Sequence, residues 1–231
     1  MKDLVLLHGA LGSSTQLDPL AEALRDRFRV HQFDFEGHGK AAQRGRPFRM
    51  QHFAANVAEV MDRLALQQVM LFGYSMGGYV ALHFALEHPE RVSRVATLGT
   101  KFRWDAAYAA REVARLDPAV IRAKVPAFAT ALEARHAGAG GWEGVLTATA
   151  DMLRHLGDHP LLTESTLPTI TAPARIIVGD RDNTVSEEES AAIAKLLGSG
   201  SVTVLPNTPH PIEQVAIDRL APVLLEFLDS A

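Results

Sequence analysis

The chain has 231 residues, of which 47% are hydrophobic and 22% charged, and this length is sufficient for one domain with a continuous core. Its formal net charge of −4, with no basic cluster, argues against nucleic acid as a partner. The absence of cysteine excludes disulfides, thiolate metal ligands and a cysteine nucleophile.

The N-terminus leads into an apolar run within three residues, which leaves no room for a signal peptide before the first strand. No apolar stretch approaches the length of a membrane helix, so no membrane association is expected. These features predict a soluble protein and fit a cytoplasmic location. Oligomeric state has no signature in the sequence.

The first hundred residues alternate short apolar runs with stretches of helical periodicity. The patterns predict strands at 4–7, 29–35, 69–72 and 94–99, and helices at 18–27, 50–66 and 76–88. After a long gap, strands are predicted at 174–178 and 201–205, and helices at 187–197 and 212–228.

Residues 100–167 contain no buried strand pattern. This segment is rich in alanine, helical in pattern and repeatedly broken by proline or glycine, and it holds both tryptophans of the chain. It is interpreted as a helical insertion between two strands. The predicted organisation is therefore a core made of 1–99 and 168–231, interrupted by the insertion 100–167.

Six strands, nearly every pair separated by a helix, require parallel pairing with right-handed crossovers. The predicted fold class is α/β, with an open, mostly parallel six-stranded sheet and helices on both faces. Ligands in such sheets bind beyond the carboxyl ends of the strands, so the loops that follow strands are the place to seek chemistry.

One of these loops contains the pattern G-x-S-x-G, centred on Ser75. A wholly apolar strand precedes it and a helical pattern follows. On a sharp turn between strand and helix, Gly73 and Gly77 would relieve backbone crowding and leave the Ser75 hydroxyl clear of the sheet. The pattern predicts a nucleophile elbow.

A serine nucleophile requires a base, and the base requires an orienting acid. Among the ten histidines, most lie in helical or strand patterns, His88 and His159 precede prolines at the ends of elements, and His8 and His38 suit tight turns. His210 follows a strand late in the chain and is the candidate base. Asp180 and Asp182 both follow the preceding strand, and loop position alone does not choose between them.

The developing oxyanion needs two backbone donors. The N–H of Met76, directly after the nucleophile, is one candidate. Ala10, in the loop after the first strand, is the other. Residues near these loops and in the insertion are candidate walls of the substrate pocket, namely Leu11, Tyr74, Phe102, Trp104, Tyr108 and Trp142.

Together these motifs resemble the α/β-hydrolase superfamily, in its small esterase-like branch with a helical lid. The resemblance rests on His8-Gly9, D-x-x-G-H-G at 34–39, G-Y-S-M-G-G at 73–78, H-P-E-R-V at 88–92, G-x-x-D at 179–182, and the late His210. It implies that Asp182 is the acid and that 100–167 is the lid. The chain begins at what the family counts as its third strand, so the usual first hairpin is absent, and T-P-H-P replaces the commoner G-H around the histidine.

The expected function is a serine hydrolase that cleaves a carboxylic ester or a related small acyl compound through an acyl-enzyme, with no metal and no organic cofactor. Two alternatives remain open at this point. The same residues could hydrolyse a carbon–carbon bond or catalyse an elimination, or the fold could serve as a slow or non-catalytic ligand receptor. The acyl and alcohol groups and the pathway are not specified by the sequence.

Overall fold

Six parallel strands form one open sheet in the computed structural model, which describes residues 1–229. The strands lie in the order β2-β1-β3-β4-β5-β6. Their bounds are β1 Lys2–Leu7, β2 Phe28–Gln32, β3 Val69–Tyr74, β4 Val92–Leu98, β5 Ala174–Arg181 and β6 Gly200–Pro209. Every strand pair is parallel, which confirms the predicted fold class.

The central strands are apolar because both of their faces are covered. All six residues of β3 are buried, and Leu4–Leu7 of β1 are buried as well. The edge strand β6 differs, since Val202 and Val204 are each 41% exposed. The carboxyl ends of β1, β3, β5 and β6 lie at one edge of the sheet, and the loops carrying the candidate residues start there.

Helices pack on both faces of the sheet. Their bounds are α1 Asp18–Leu24, α2 Met50–Arg63, α3 Met76–Glu87, α4 Ala106–Val113, α5 Pro118–Lys124, α6 Pro126–Arg135, α7 Trp142–Asp158, α8 Glu187–Leu196 and α9 Ile217–Asp229. The apolar sides of α1 and α9 form one core with the sheet. Those of α2, α3 and α8 form a second, larger core on the opposite face.

The segment between β4 and β5 contains α4 to α7. Its helix α7 joins the larger core through Val145 and Met152, while α5, α6 and the start of α7 form a small cluster of their own. The segment thus covers the carboxyl edge of the sheet, and its role as a lid stays a prediction. Within residues 1–229, no helix combines the length and apolar character needed to cross a bilayer.

Several element boundaries differ from the predicted ones, and two of the differences position the site. Strand β5 continues to Arg181 and β6 to Pro209, whereas the sequence patterns end at 178 and 205. The additional residues are glycine, proline or polar, so apolar periodicity gives no sign of them. They belong to the sheet because Arg181 pairs with Pro209 after a register shift beyond Gly179.

Candidate active site

Ser75 occupies a strained turn between β3 and α3. Its φ of 51° and ψ of −117° lie outside the regions that side chains ordinarily favour. A Cβ on Gly73 would come within 2.3 Å of the Gly77 backbone, and one on Gly77 within 2.3 Å of the Leu7 carbonyl oxygen. The two glycines are therefore required by close backbone approach, and the Ser75 N–H is held by the Leu98 carbonyl at 2.8 Å.

The structure brings Ser75, His210 and Asp182 into line. Ser75 Oγ lies 3.3 Å from His210 Nε2, and His210 Nδ1 lies 2.7 Å from Asp182 Oδ2. An ionised carboxylate only accepts hydrogen bonds, so Nδ1 carries the proton and the neutral imidazole presents Nε2 to the hydroxyl as an acceptor. This arrangement can transfer the hydroxyl proton of Ser75 to His210.

Asp182 is ionised and locked in orientation. Burial alone would raise its pKa, but the hydrogen bond and charge of His210, with the N–H groups of Val185 and Thr184, lower that pKa below its ordinary value. Asp182 Oδ1 accepts from the Thr184 N–H at 2.8 Å and the Val185 N–H at 2.9 Å. These two donors turn Oδ2 toward the imidazole.

Strand register explains why the acid and the base meet. Arg181 and Pro209 are register partners, so Asp182 and His210 leave neighbouring strands side by side. A Cβ on Gly99 would lie 3.0 Å from Asp182 Oδ2 and 3.2 Å from His210 Nδ1, and Gly99 has a φ of 59°. Glycine at this position leaves room for the pair.

Asp180 has a different role. Its side chain is exposed, and Oδ1 accepts from the backbone N–H of Thr208 on β6 at 3.1 Å. The bonds to the N–H groups of Asn207 and Thr208 lower the pKa of Asp180. Asp180 therefore ties β5 to β6 and does not contact His210.

Tyr74 contacts the backbone and the ring of His210. Its hydroxyl donates to the His210 carbonyl oxygen at 3.0 Å, and the two rings lie 5.5 Å apart. Burial raises the pKa of Tyr74, so the phenol remains a hydrogen-bond donor. Tyr74 also lines the cavity described next.

A cavity of about 260 Å³ opens above Ser75 and His210. Ala10 and Met76 both line it, and among the loop and cap hydrogen bonds of residues 1–229 none starts from the N–H of either residue. The walls are mainly apolar, and the residues lining them include Leu11, Met50, Tyr79, Trp104, Tyr108, Leu116, Met152 and Leu153. Of the six predicted wall residues, the cavity thus contains Leu11, Tyr74, Trp104 and Tyr108.

The structure places the other two predicted wall residues, Phe102 and Trp142, outside this cavity. Phe102 is fully buried in the larger core, where its ring lies 6.4 Å from that of Tyr79. Trp142 is only 2% exposed and packs with Leu132 and Leu146 inside the helical segment. Both side chains point into hydrophobic cores and away from the cavity, Phe102 from the loop after β4 and Trp142 from the start of α7.

Several cavity residues escaped sequence reasoning. Tyr79 lies one helical turn after Ser75, a spacing that could have indicated it. Met50, Met152 and Leu153 gave no signal, because their placement depends on how α2 and α7 pack over the sheet. Lys101 lies in the loop between β4 and α4, and its ammonium group pairs with Glu189 and lies 4.3 Å from the centre of the Tyr108 ring.

No group of three or more histidine, aspartate or glutamate side chains in residues 1–229 has the arrangement of a metal site. The chemistry available at this edge of the sheet is that of a hydroxyl, an imidazole and a carboxylate beneath a small apolar cavity.

The family of this chain follows from comparison with known protein families. Residues 3–139, more than half of the chain, match the family described as alpha/beta hydrolase fold. The chain belongs to this family. The match includes the Ser75 turn and confirms the resemblance drawn from the motifs, and the fold of the remaining residues agrees with it.

Curated relatives of this alpha/beta hydrolase share only part of their length with it. A Bacillus subtilis (strain 168) protein, provisionally named as a 2-succinyl-6-hydroxy-2,4-cyclohexadiene-1-carboxylate synthase, is 40% identical over 98 residues. A Vibrio cholerae pimeloyl-[acyl-carrier protein] methyl ester esterase is 35% identical over 107 residues. The matches cover 42% and 46% of this chain but only 35% and 39% of the relatives.

The overall fold of this alpha/beta hydrolase also matches solved structures. A thermophilic esterase from Thermogutta terrifontis superposes with a TM-score of 0.80 at 24% identity, covering 99% of this chain and 90% of that one. At this identity the likeness establishes the fold. It extends over the helical segment as well as the sheet.

Three buried histidines, His8, His38 and His136, form a cluster next to the loop that follows β1 in this alpha/beta hydrolase. The rings of His8 and His38 are 5.2 Å apart, and those of His38 and His136 are 5.8 Å apart. His8 Nε2 accepts from the Phe35 N–H at 3.1 Å, so its Nδ1 donates to the Gly9 carbonyl. Burial lowers the pKa of His8 to about 4. The charges of His136 and Arg135 also lower this pKa, whereas the charge of Asp34 raises it.

This cluster predicts a loss of stability in mild acid. The unfolded chain binds a proton at His8 below about pH 6.5, whereas the folded protein does not until about pH 4. Between pH 7.5 and 5, His8 alone should therefore lower the free energy of unfolding by about 2 kcal/mol. Urea titrations at the two pH values measure the change.

The matched variants for this prediction are His8→Gln and His159→Gln. The first should flatten the pH dependence, although it also lowers stability overall. The second removes an exposed imidazole outside this cluster and should change the dependence much less. A wild-type free energy of unfolding that stays constant from pH 7.5 to 5 contradicts the prediction.

Proposed function

We propose that this protein is a serine hydrolase that cleaves a carboxylic ester or a related small acyl compound through an acyl-enzyme. The observation that carries the proposal is the continuous chain from Ser75 Oγ through His210 to Asp182, with separations of 3.3 and 2.7 Å. Deep burial of the carboxylate and its two backbone donors give the imidazole one orientation.

In the proposed mechanism, Ser75 Oγ bonds to the carbonyl carbon while its proton passes to His210 Nε2. The tetrahedral intermediate collapses with cleavage of the carbon–oxygen bond, and His210 returns the proton to the departing alcohol. Water then attacks the acyl-enzyme by the same route and releases the acid. Asp182 stays ionised throughout and stabilises the imidazolium.

The N–H groups of Ala10 and Met76 are the proposed oxyanion donors. Both residues line the cavity with Ser75; Ala10 lies in the loop after β1, and Met76 directly follows Ser75. Met76 is also the first residue of α3, where the helix dipole favours negative charge. Donors of this kind act on the charge that develops in the transition state.

The cavity supports a small, largely apolar acyl or alcohol group. Its volume of about 260 Å³ lies below the roughly 300–1,000 Å³ of pockets that hold drug-sized ligands. The charged residues that line it are paired, Lys101 with Glu189 and Arg115 with Glu112. Relatives named as esterases agree with ester cleavage.

The test is a panel of 4-nitrophenyl esters of increasing chain length, run beside thioesters and lactones, with mass spectrometry of the enzyme during turnover. Hydrolysis with acylation of Ser75 supports the proposal. Turnover of a carbon–carbon substrate or an elimination without acylation would instead favour the lyase reading of the same residues. Tight binding without product would favour a receptor.

The two tryptophans provide a matched prediction on specificity. Trp104 lines the cavity, so Trp104→Ala should extend the preferred ester chain length on this panel while leaving stability little changed. Trp142→Ala should lower the free energy of unfolding by about 3–5 kcal/mol, the usual cost of truncating a buried aromatic residue, with little change in chain-length preference. If both variants shift preference equally, this placement of the cavity is contradicted.

A further inference from the structure

The loop that carries Ala10 is hydrogen-bonded to the helical segment 100–167. Gly9 to Gly12 form a turn closed by the Gly12 N–H donating to the Gly9 carbonyl at 3.1 Å. Ala10 and Leu11 are its central residues. Leu11 has a φ of 57°, a left-handed conformation that a leucine adopts at a cost.

Two side chains from the end of α6 converge on the Leu11 carbonyl oxygen. Arg135 Nη1 donates to it at 2.9 Å, and His136 Nε2 lies 3.0 Å from it. These contacts span 124 and 125 residues of sequence. A carbonyl oxygen has two lone pairs, and here both are occupied by donors from another element.

The hydrogen-bond pattern determines which nitrogen of His136 carries the proton. The Gly39 backbone N–H donates to His136 Nδ1 at 3.0 Å, so Nδ1 is an acceptor and Nε2–H is the donor to Leu11. Burial lowers the pKa of His136, and the charge of Arg135 acts in the same direction, so the neutral tautomer persists. His136 therefore links the loop after β1 to the loop after β2.

Arg135 makes a second connection. Its Nη2 lies 3.2 Å from Glu213 Oε1, and Glu213 also accepts from the side chain of Gln16. Glu213 lies in the short 3₁₀ helix that follows His210. Arg135 thus bridges the turn that carries Ala10 and the segment that carries His210. The Arg135 side chain is only 17% exposed.

We infer that Arg135 and His136 are positioning residues for the oxyanion hole, because they hold the Leu11 carbonyl and with it the turn that presents the Ala10 N–H. This inference rests on the proposed function, since Ala10 matters only if an oxyanion forms there. Without the two donors, Leu11 can leave its costly left-handed conformation, and the turn reorients. The helical segment then contributes to transition-state binding as well as to the cavity walls.

The experiment compares Arg135→Met, His136→Phe and their double variant, using 4-nitrophenyl butyrate hydrolysis and inhibition by butaneboronic acid. The two substitutions keep side-chain bulk and remove the donors. Each single variant should lose about tenfold in kcat with little change in KM, because complete loss of one oxyanion donor costs about 10²–10³. Affinity for the boronic acid, whose adduct places an oxygen in the hole, should fall in parallel.

A conservative variant separates positioning from packing. In His136→Gln, the side-chain amide can donate to Leu11 as Nε2 does, so kcat should return to within about threefold of wild type. Glu133→Gln on the same helix and Arg25→Met, directly after α1, alter exposed side chains away from the turn and should leave kcat unchanged. The inference is overturned if folded Arg135→Met and His136→Phe both keep wild-type kcat and boronic acid affinity.

Amide hydrogen exchange gives a readout that does not depend on turnover. The Gly12 N–H, which closes the turn, should exchange faster in His136→Phe than in wild type or Glu133→Gln. Unchanged exchange overturns the inference whatever the activity. If wild-type protein neither turns over esters nor becomes acylated at Ser75, the proposed function fails separately, and any protection of Gly12 then reflects loop packing with no role in catalysis.

Discussion

Ser75→Ala should lower kcat for ester hydrolysis by about 10⁴ to 10⁶, because members of a catalytic triad act as a unit. The variant retains the cavity, the candidate oxyanion donors and the His210–Asp182 pair, so some activity above the uncatalysed rate should remain. Steady-state kinetics on 4-nitrophenyl butyrate, with active-site titration to exclude contaminating enzyme, measures the loss.

Stability should be nearly unaffected by this change. Alanine can occupy the backbone conformation at φ 51° about as well as serine, and the N–H bond to Leu98 does not involve the side chain. The matched control is Ser93→Ala, which removes a hydroxyl that donates to Val69 at the opposite end of β4. It should keep full activity. Retention of most activity by Ser75→Ala would end the proposed mechanism.

Asp182→Asn should lower kcat by about 10⁴ without unfolding the protein, the size of effect seen when the orienting acid of a serine protease becomes an amide. The structure gives the reason. The N–H groups of Thr184 and Val185 require an acceptor at Oδ1, so the new NH₂ group must face His210. Nδ1 then becomes an acceptor, the proton moves to Nε2, and the imidazole no longer accepts the proton of Ser75.

Asp180→Asn is the matched control, two residues before Asp182 and within β5, which ends at Arg181. Its amide oxygen can still accept from the Thr208 N–H, so the tie between β5 and β6 largely persists. Its kcat should stay within about threefold of wild type, a barrier change of less than about 1 kcal/mol. The assignment of the acid is contradicted if the Asp180 variant loses activity while folded and the Asp182 variant stays within about tenfold of wild type.

Much of the fold could be predicted from local patterns. The apolar runs of β1 and β3, followed by helical periodicity, indicated a parallel sheet because only a strand covered on both faces tolerates such composition. The carboxyl ends of β5 and β6 could not be predicted, because pairing of Gly179 to Arg181 with 205–209 depends on backbone hydrogen bonds and leaves no apolar pattern.

Aromatic residues of the helical segment show a similar limit. Trp104 and Trp142 are both aromatic residues in a helical, alanine-rich segment, and the sequence does not distinguish them. Trp104 nevertheless lines the cavity, whereas Trp142 fills a core. Which way a helix or loop turns its side chains is set by packing against neighbouring elements. For the same reason Met50 and Met152, which come from α2 and α7, both line the cavity without any shared motif.

What the sequence determined by itself is the turn at Ser75. Five consecutive residues contain the two glycines that permit close approach of strand, helix and neighbouring loop, so backbone sterics indicate an exposed hydroxyl without reference to the rest of the chain. Only the tertiary structure decided what surrounds it. The pairing of His210 with Asp182 and the grip of Arg135 and His136 on Leu11 join residues 28 to 125 positions apart, through strand register and helix packing that no local pattern records.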